Sequence, residues 1–271
     1  MAEEPNLDAY LKRVNFSGSI APGIELLTSL HQLHPSAIPF ENLDPLMEVP
    51  VRLDLSNLEQ KLVVERRGGY CFEHNLLFKA ILDDLGFVTR PLAAYVSRGA
   101  GPGAEPVLNH MAMLVDVAGV QYLADVGLGR HVLTGPLRLK AGIEQDTPNE
   151  RYRLTEGEGQ WALEIESEDW APYYTFEIID RTMEEYRAMN DLTQVAFRDE
   201  LRVARSEPGV RYALLNNRLT VYRRSAEPEI RVLSSTLEIR DVLMQTFGIQ
   251  LPKDDARLDG ALEKAFRPRH A

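Results

Sequence analysis

A chain of 271 residues is long enough to bury a sizeable core, as one large domain or as two to three small ones. With 44% hydrophobic and 26% charged residues it has the composition of a folded globular protein. A formal net charge of −11 excludes nucleic acid and anionic membrane as main partners, because both reward a basic surface.

No stretch approaches about 18 consecutive apolar residues, and the opening Met-Ala-Glu-Glu-Pro is acidic without an apolar run. The reading therefore predicts no membrane span and no secretory leader, and places the protein in the cytoplasm. A single cysteine agrees with a reducing compartment.

In chain order, residues 6–34 read as helical, with Leu7, Tyr10, Leu11 and Val14 on one stripe and Ile24, Leu27, Leu30 and Leu33 on a second. Pro35 and Pro39 are expected to end that helix. The segment Ile38-Pro-Phe-Glu-Asn-Leu43 reads as irregular, and Leu55–Val64 resumes a helical pattern. After Arg66-Arg-Gly-Gly, a helical run from Phe72 to Leu85 stops at Gly86.

Beyond Gly86 the texture changes to short β-rich runs: 88–96, 111–117, 120–126, 151–154, 160–166 and 173–179. Several short strands at such spacing predict a barrel or sandwich. Arg98–Pro106 reads as a flexible loop; its glycines lack the flanking strand and the Lys-Ser/Thr of a phosphate-binding loop. A mixed polar stretch over 181–205, helical from Met183, precedes strands at 210–215, 218–224 and 229–233 and helices at 237–247 and 258–266. Residues 1–86 thus read as a small helical domain, followed by a β-rich region.

Cys71 is the first candidate for chemistry, because it stands where a Gly-Gly turn meets a helix start. Gly68 and Gly69 can take positive φ and let other groups approach the backbone closely, and the positive end of the helix macrodipole favours a thiolate. The bland alternative, a buried cysteine acting as a small hydrophobe, fits poorly beside Arg66, Arg67, Glu73, His74 and Asn75.

A cysteine nucleophile needs a base and a group to orient that base. His31, His34, His131 and His270 read as structural or surface residues. His74 shares the cysteine's helix face and is a weak candidate. His110 opens an otherwise apolar strand just after a Gly/Pro-rich loop, a common place for a catalytic residue. Strand parity then selects its partner. Asp116 lies on the same face but roughly 20 Å along, at about 3.3 Å per residue. If 120–126 returns through a two-residue Ala118-Gly119 loop, Val117 pairs with Val120 and Asp125 becomes a diagonal neighbour of His110. A four-residue loop sets the two face to face, and a three-residue loop turns Asp125 away.

These blocks resemble the arylamine N-acetyltransferase family. Arg67-Gly-Gly-Tyr-Cys-Phe-Glu-His-Asn75 is similar to its cysteine signature, Ile38-Pro-Phe-Glu-Asn-Leu43 to its upstream block, and Tyr122-Leu-Ala-Asp-Val-Gly-Leu-Gly129 to its third block. The resemblance implies an α+β multidomain fold with a cysteine-protease-like core: an N-terminal helical domain over 1–86 carrying Cys71, a central antiparallel β-barrel over 87–180 carrying His110 and Asp125, and an interdomain segment with a C-terminal α/β lid over 181–271. It implies Cys71, His110 and Asp125 as a triad; Val96, Asn109, Gly127 and Gly129 on the donor side; and Phe40, Leu128 and Phe197 at the acceptor. Leu128 stands where the family usually has Phe, and Asn109 where Thr or Ser is frequent.

By the same resemblance, acetyl-coenzyme A is the acyl-donor substrate, with no metal and no permanently bound cofactor. An acetyl-cysteine forms and passes to an arylamine, hydrazine or N-hydroxyarylamine in a ping-pong cycle. The alternatives are an amide synthase of the same family that closes a macrocyclic polyketide, or a thiol hydrolase or transglutaminase using the same triad types. A homodimer is compatible with the sequence.

Overall fold

The position of the site follows from one hairpin in a computed structural model that describes residues 4–96, 107–166, 169–224 and 226–267. The Arg98–Pro106 loop lies outside the described residues. Strand His110–Val117 returns as Val120–Ala124, with Val117 opposite Val120 and Met113 opposite Ala124. The two-residue loop Ala118-Gly119 has φ of +52° and +81°, the mirror-image turn whose twist matches paired strands. Asp116 accepts the Gly119 N–H at 2.9 Å and so caps that turn, at the far end of the strand from His110.

This hairpin is part of an eight-stranded antiparallel sheet. Its order is Leu137–Arg138, Val120–Ala124, His110–Val117, Val88–Val96, Trp170–Phe176, Gln160–Glu166, Arg151–Gly157 and Glu144–Asp146. The two end strands meet through Gln145, which accepts from the Arg138 N–H at 2.7 Å and donates to the Arg138 carbonyl at 3.0 Å. The sheet thus curls into a nearly closed barrel filled by Leu92, Ala112, Leu114, Leu123, Leu154, Leu163 and Tyr174. Because side chains alternate, Met111, Met113 and Val115 of the same strand point out of the barrel, into a second core shared with the helices.

That second core holds helices Leu7–Arg13, Ile24–Ala37 and Cys71–Asp84, with Tyr10, Leu27, Leu30, Leu77, Phe78 and Ile81 fully buried. A third core lies under the sheet Phe40–Glu41, Arg202–Glu207, Val210–Leu215, Arg218–Arg223 and Glu229–Val232. Helices Thr236–Gln245 and Asp255–Leu262 contribute Ile239, Leu243 and Leu258 to it, and Leu43, Leu46 and Met47 join from the N-terminal half.

The structure departs from the local sequence reading at several points. Pro35 does not end its helix, which runs on to Ala37; a proline in the last turn removes only one ladder bond there. Leu55–Val64 begins as an α-helix but widens into a π-helix at Glu59–Val64. Phe40–Glu41 is a short strand rather than irregular, paired to Ala204 and Val203. Its partner Arg202–Glu207 alternates buried and charged residues and was hidden in the polar run 181–205. The return strand stops at Ala124, two residues early, because side chains replace the ladder: the Asp125 N–H donates to His31 and the Val126 N–H to Asn75. The last barrel strand is Trp170–Phe176 rather than 173–179, in register with Gln160–Glu166 across a bulge at Leu163/Glu164.

Candidate active site

Cys71 is the first residue of helix Cys71–Asp84, following an extended Tyr70. Glu73 Oε2 accepts the Tyr70 N–H at 3.0 Å, tying down the chain just before the nucleophile. Neither Gly68 nor Gly69 has positive φ; that conformation falls on Arg66, at φ 52°. The two glycines serve close approach instead. A Cβ on Gly68 would lie 2.0 Å from the Pro39 carbonyl oxygen, and one on Gly69 2.7 Å from Glu73 Oε2. Beneath this turn Arg67 bonds Glu41 at 2.9 Å and Asp44 at 2.7 Å, while Lys61 bridges Asp44 at 2.6 Å and Glu73 at 2.7 Å. The network joins the segment before Cys71 to the third core.

Helix Cys71–Asp84 packs on the outer face of strand His110–Val117, and His110 opens that strand at the barrel mouth, on the interior side. His110 Nε2 lies 2.6 Å from Asp125 Oδ2, and both side chains are buried. With Nε2 committed to the carboxylate, Nδ1 is the nitrogen left for the thiol. Cys71, 3% exposed, sets its sulfur 3.8 Å from the Asn109 carbonyl, one residue before His110.

Burial opposes a charged imidazole, but Asp125 and Cys71 outweigh it and hold the His110 pKa up at about 10. Burial likewise pushes the Asp125 carboxyl up, and His110, Asn75 and the Gly127 N–H together bring it below the usual carboxylate range. The arrangement favours an imidazolium between two acidic groups. That is the charge distribution a cysteine nucleophile needs.

Asn75 stands one turn behind Cys71 and was quoted in the motif without a role. Its Nδ2 donates to Asp125 Oδ1 at 3.0 Å and to the Met111 carbonyl at 2.7 Å, and its Oδ1 accepts from the Val126 N–H at 3.1 Å. One amide therefore fixes the carboxylate, the strand and the turn after it. Its i, i+4 spacing from Cys71, which places both on one helix face, is the signal that could have found it. Tyr174 sets its ring 5.3 Å from the His110 ring, and its phenol is pushed well up by burial with Asp125 nearby. His31 accepts the Asp125 N–H at 3.0 Å, and burial lowers its pKa to about 4. Nothing local in the sequence marked Tyr174 or His31.

The remaining predicted residues fall into separate groups. Asn109 Oδ1 accepts the Val96 N–H at 2.9 Å, joining the two strand ends beside the thiol. Gly127 donates to Asp125 Oδ1 at 2.9 Å and packs so closely that a Cβ there would lie 2.7 Å from the Cys71 Cα. Gly129, at φ 63°, approaches the Phe40 ring, and Phe40 meets Phe197 edge-on with centroids 6.2 Å apart. Leu128 points elsewhere, into the barrel core beside Val132 and Leu133.

A family model described as N-acetyltransferase matches residues 23–256. The chain belongs to the arylamine N-acetyltransferase family. It is 36% identical to the arylamine N-acetyltransferase of Escherichia coli K12, over 93% of this chain and 91% of that protein. It is 37% identical to the arylamine N-acetyltransferase / N-hydroxyarylamine O-acetyltransferase of Salmonella typhimurium LT2, over 90% of this chain and 88% of that protein. The structure of Mycobacterium marinum arylamine N-acetyltransferase in complex with CoA superimposes with a TM-score of 0.92 at 35% identity, covering 96% of this chain and 99% of that one. Among the described residues no helix is long and apolar enough to cross a membrane.

Proposed function

We propose that this acetyltransferase moves the acetyl group of acetyl-coenzyme A through an acetyl-Cys71 intermediate to arylamines, hydrazines or N-hydroxyarylamines. The observation that carries the reading is the contact of 2.6 Å between His110 Nε2 and Asp125 Oδ2, at the mouth where the Cys71 helix begins. In the first half-reaction the Cys71 thiolate attacks the thioester carbonyl, and coenzyme A leaves as a thiol with the proton from His110 Nδ1. In the second the amine attacks the acetyl-cysteine, gives its proton to His110, and leaves as the amide while the thiolate returns. Thioester exchange is nearly neutral in energy, so the intermediate keeps the reactivity that a weakly basic aromatic amine needs.

Asp125 holds the imidazole in the tautomer that presents Nδ1 to sulfur and stabilises its charge. Backbone N–H groups at the start of the Cys71 helix have no partner within the helix and serve the developing oxyanion. Val96, Asn109, Gly127 and Gly129 border the donor side, and the facing Phe40 and Phe197 rings offer an aromatic acceptor flat and edge contacts. Leu128 acts through the barrel core behind them. A free thiol and a coenzyme A thioester donor both suit the cytoplasm, where we place the enzyme.

The test is incubation with acetyl-coenzyme A without acceptor, followed by intact-protein and peptide mass spectrometry. One acetyl group should appear, on the peptide containing Cys71, and it should leave on addition of an arylamine. The same adduct on a Cys71→Ala variant, or peptide cleavage in place of acetyl transfer, overturns the proposal.

A further inference from the structure

A second imidazole rides on the nucleophile's helix and has no part in the chemistry above. His74 is fully buried. Its Nε2 lies 3.2 Å from the Pro39 carbonyl oxygen and its Nδ1 2.8 Å from Nε2 of His34, whose Nδ1 lies 2.9 Å from the Tyr10 hydroxyl. A carbonyl oxygen can only accept, so the His74 proton sits on Nε2 and its Nδ1 is an acceptor. His34 must then donate from Nε2 and accept at Nδ1, and Tyr10 donates to it. This arrangement satisfies every atom of the chain with both rings neutral. An extra proton on His74 would drive His34 into its other tautomer and leave the Tyr10 hydroxyl hydrogen without an acceptor. Burial acts the same way, lowering His74 to about 4 and His34 well below its ordinary value.

The chain ends on the backbone of the Pro39–Phe40 block. There the Glu41 N–H bonds the Gly69 carbonyl at 2.7 Å, and the Phe40 ring lies parallel to the His74 ring, 3° apart in plane with centroids 6.5 Å apart. His74 thus joins the helix that carries Cys71 both to the carbonyl before Phe40 and to the Phe40 ring. The triad hangs on different supports, Asn75 and His31.

We infer that His74, held as the neutral Nε2–H tautomer by His34 and Tyr10, is a positioning residue for the acceptor half of the reaction, fixing the Phe40 wall relative to Cys71. The inference rests on the ping-pong reading and on Phe40 as an acceptor wall. It predicts a split between the half-reactions that general loss of structure would not produce.

The experiment measures both halves separately in the full-length protein: coenzyme A release in a single turnover with acetyl-coenzyme A, and the KM for an aniline-type acceptor. His74→Leu removes the donor and the acceptor together. It should raise the acceptor KM about tenfold while coenzyme A release stays within about threefold. His74→Gln can donate to Pro39 and accept from His34, and should restore the KM to within about threefold of the parent. Nitrogen-15 spectra of the histidine-labelled wild type at neutral pH should show His34 and His74 as neutral Nε2–H rings. Should His74→Leu fail to fold, the wild-type spectra and the His74→Gln kinetics still decide. An Nδ1–H tautomer or an imidazolium at either ring overturns the inference, as does an equal loss in both halves without rescue by Gln. Absence of acetyl-Cys71 in the wild type would overturn the proposed function and this inference with it; normal acetylation with an unchanged acceptor KM in His74→Leu would overturn the inference alone.

Discussion

Replacing Asp125 by Asn tests the site most sharply, because the side chains are isosteric and the hydrogen-bond geometry dictates the outcome. Oδ1 accepts from Asn75 Nδ2 at 3.0 Å and from the Gly127 N–H at 2.9 Å, and Oδ2 accepts from His110 Nε2 at 2.6 Å. All three partners are donors. An asparagine amide offers one oxygen, so whichever way it turns, an NH₂ group meets a donor. If the oxygen keeps Asn75 and Gly127, the NH₂ faces His110 Nε2 and forces that nitrogen to accept, which moves the ring proton to Nδ1. The imidazole then presents N–H to the thiol and cannot take its proton. If the oxygen turns to His110, the tautomer survives, but the Asn75 amide and the Gly127 N–H lose their acceptor in a buried site. The first outcome costs about 10³–10⁴ in acylation rate, or roughly 4–5.5 kcal/mol of barrier. Single-turnover release of coenzyme A measures it, with circular dichroism as the folding control. Asp116→Asn, which touches the hairpin turn at Gly119 and lies at the far end of the strand, should acylate within about threefold of the parent. Acylation by Asp125→Asn within about tenfold of the parent would refute the role assigned to this carboxylate.

The pH dependence of stability has two limbs. His110 is raised to about 10, above its ordinary value, so its contribution is full below about 6.5 and is lost as pH rises through about 10. His31 and His74 are lowered to about 4, so below about 6.5 the unfolded chain binds protons that the folded one refuses, and stability falls as pH drops toward 4. Urea midpoints across pH 4–10 should show both limbs, and a flat acid limb would mean these rings are not buried neutral. Gly127→Ala should cost about 1–3 kcal/mol, since its Cβ would meet the Cys71 Cα at 2.7 Å, a backbone atom that cannot step aside. Gly260→Ala, with nothing within 4 Å and a helical setting, should stabilise by about 0.4–1 kcal/mol; thermal melts of the pair check the contrast. Asn75→Ala leaves the Val126 N–H, the Met111 carbonyl and Asp125 short of partners and should slow acylation by at least about tenfold with the nucleophile intact, as read by iodoacetamide labelling of Cys71.

Local rules reach the elements whose information is local. The helix over Cys71–Asp84 follows from apolar spacing and from the Gly-Gly turn before it, and the register of the His110 hairpin follows from a two-residue loop and the two-residue period of a strand. With the two-residue loop, strand parity makes Asp125 a same-face neighbour of His110, and the Gly-Gly turn sets a cysteine at a helix start. What the tertiary structure decided lies between residues far apart in sequence. His31 reaches the Asp125 backbone across 94 positions, Asn75 reaches the Asp125 carboxylate across 50, and His34 meets His74 across 40. Each of these is a polar side chain whose pattern reads as surface or cap until packing removes the water around it. The strand Arg202–Glu207 was hidden for the same reason: its charges obscured a pairing with Phe40–Glu41 that only the closed chain provides. Burial then turns such groups from solvated to obligatory partners, because an unpaired donor or acceptor in the interior costs about 1–3 kcal/mol, and no window of sequence records which partner will be there.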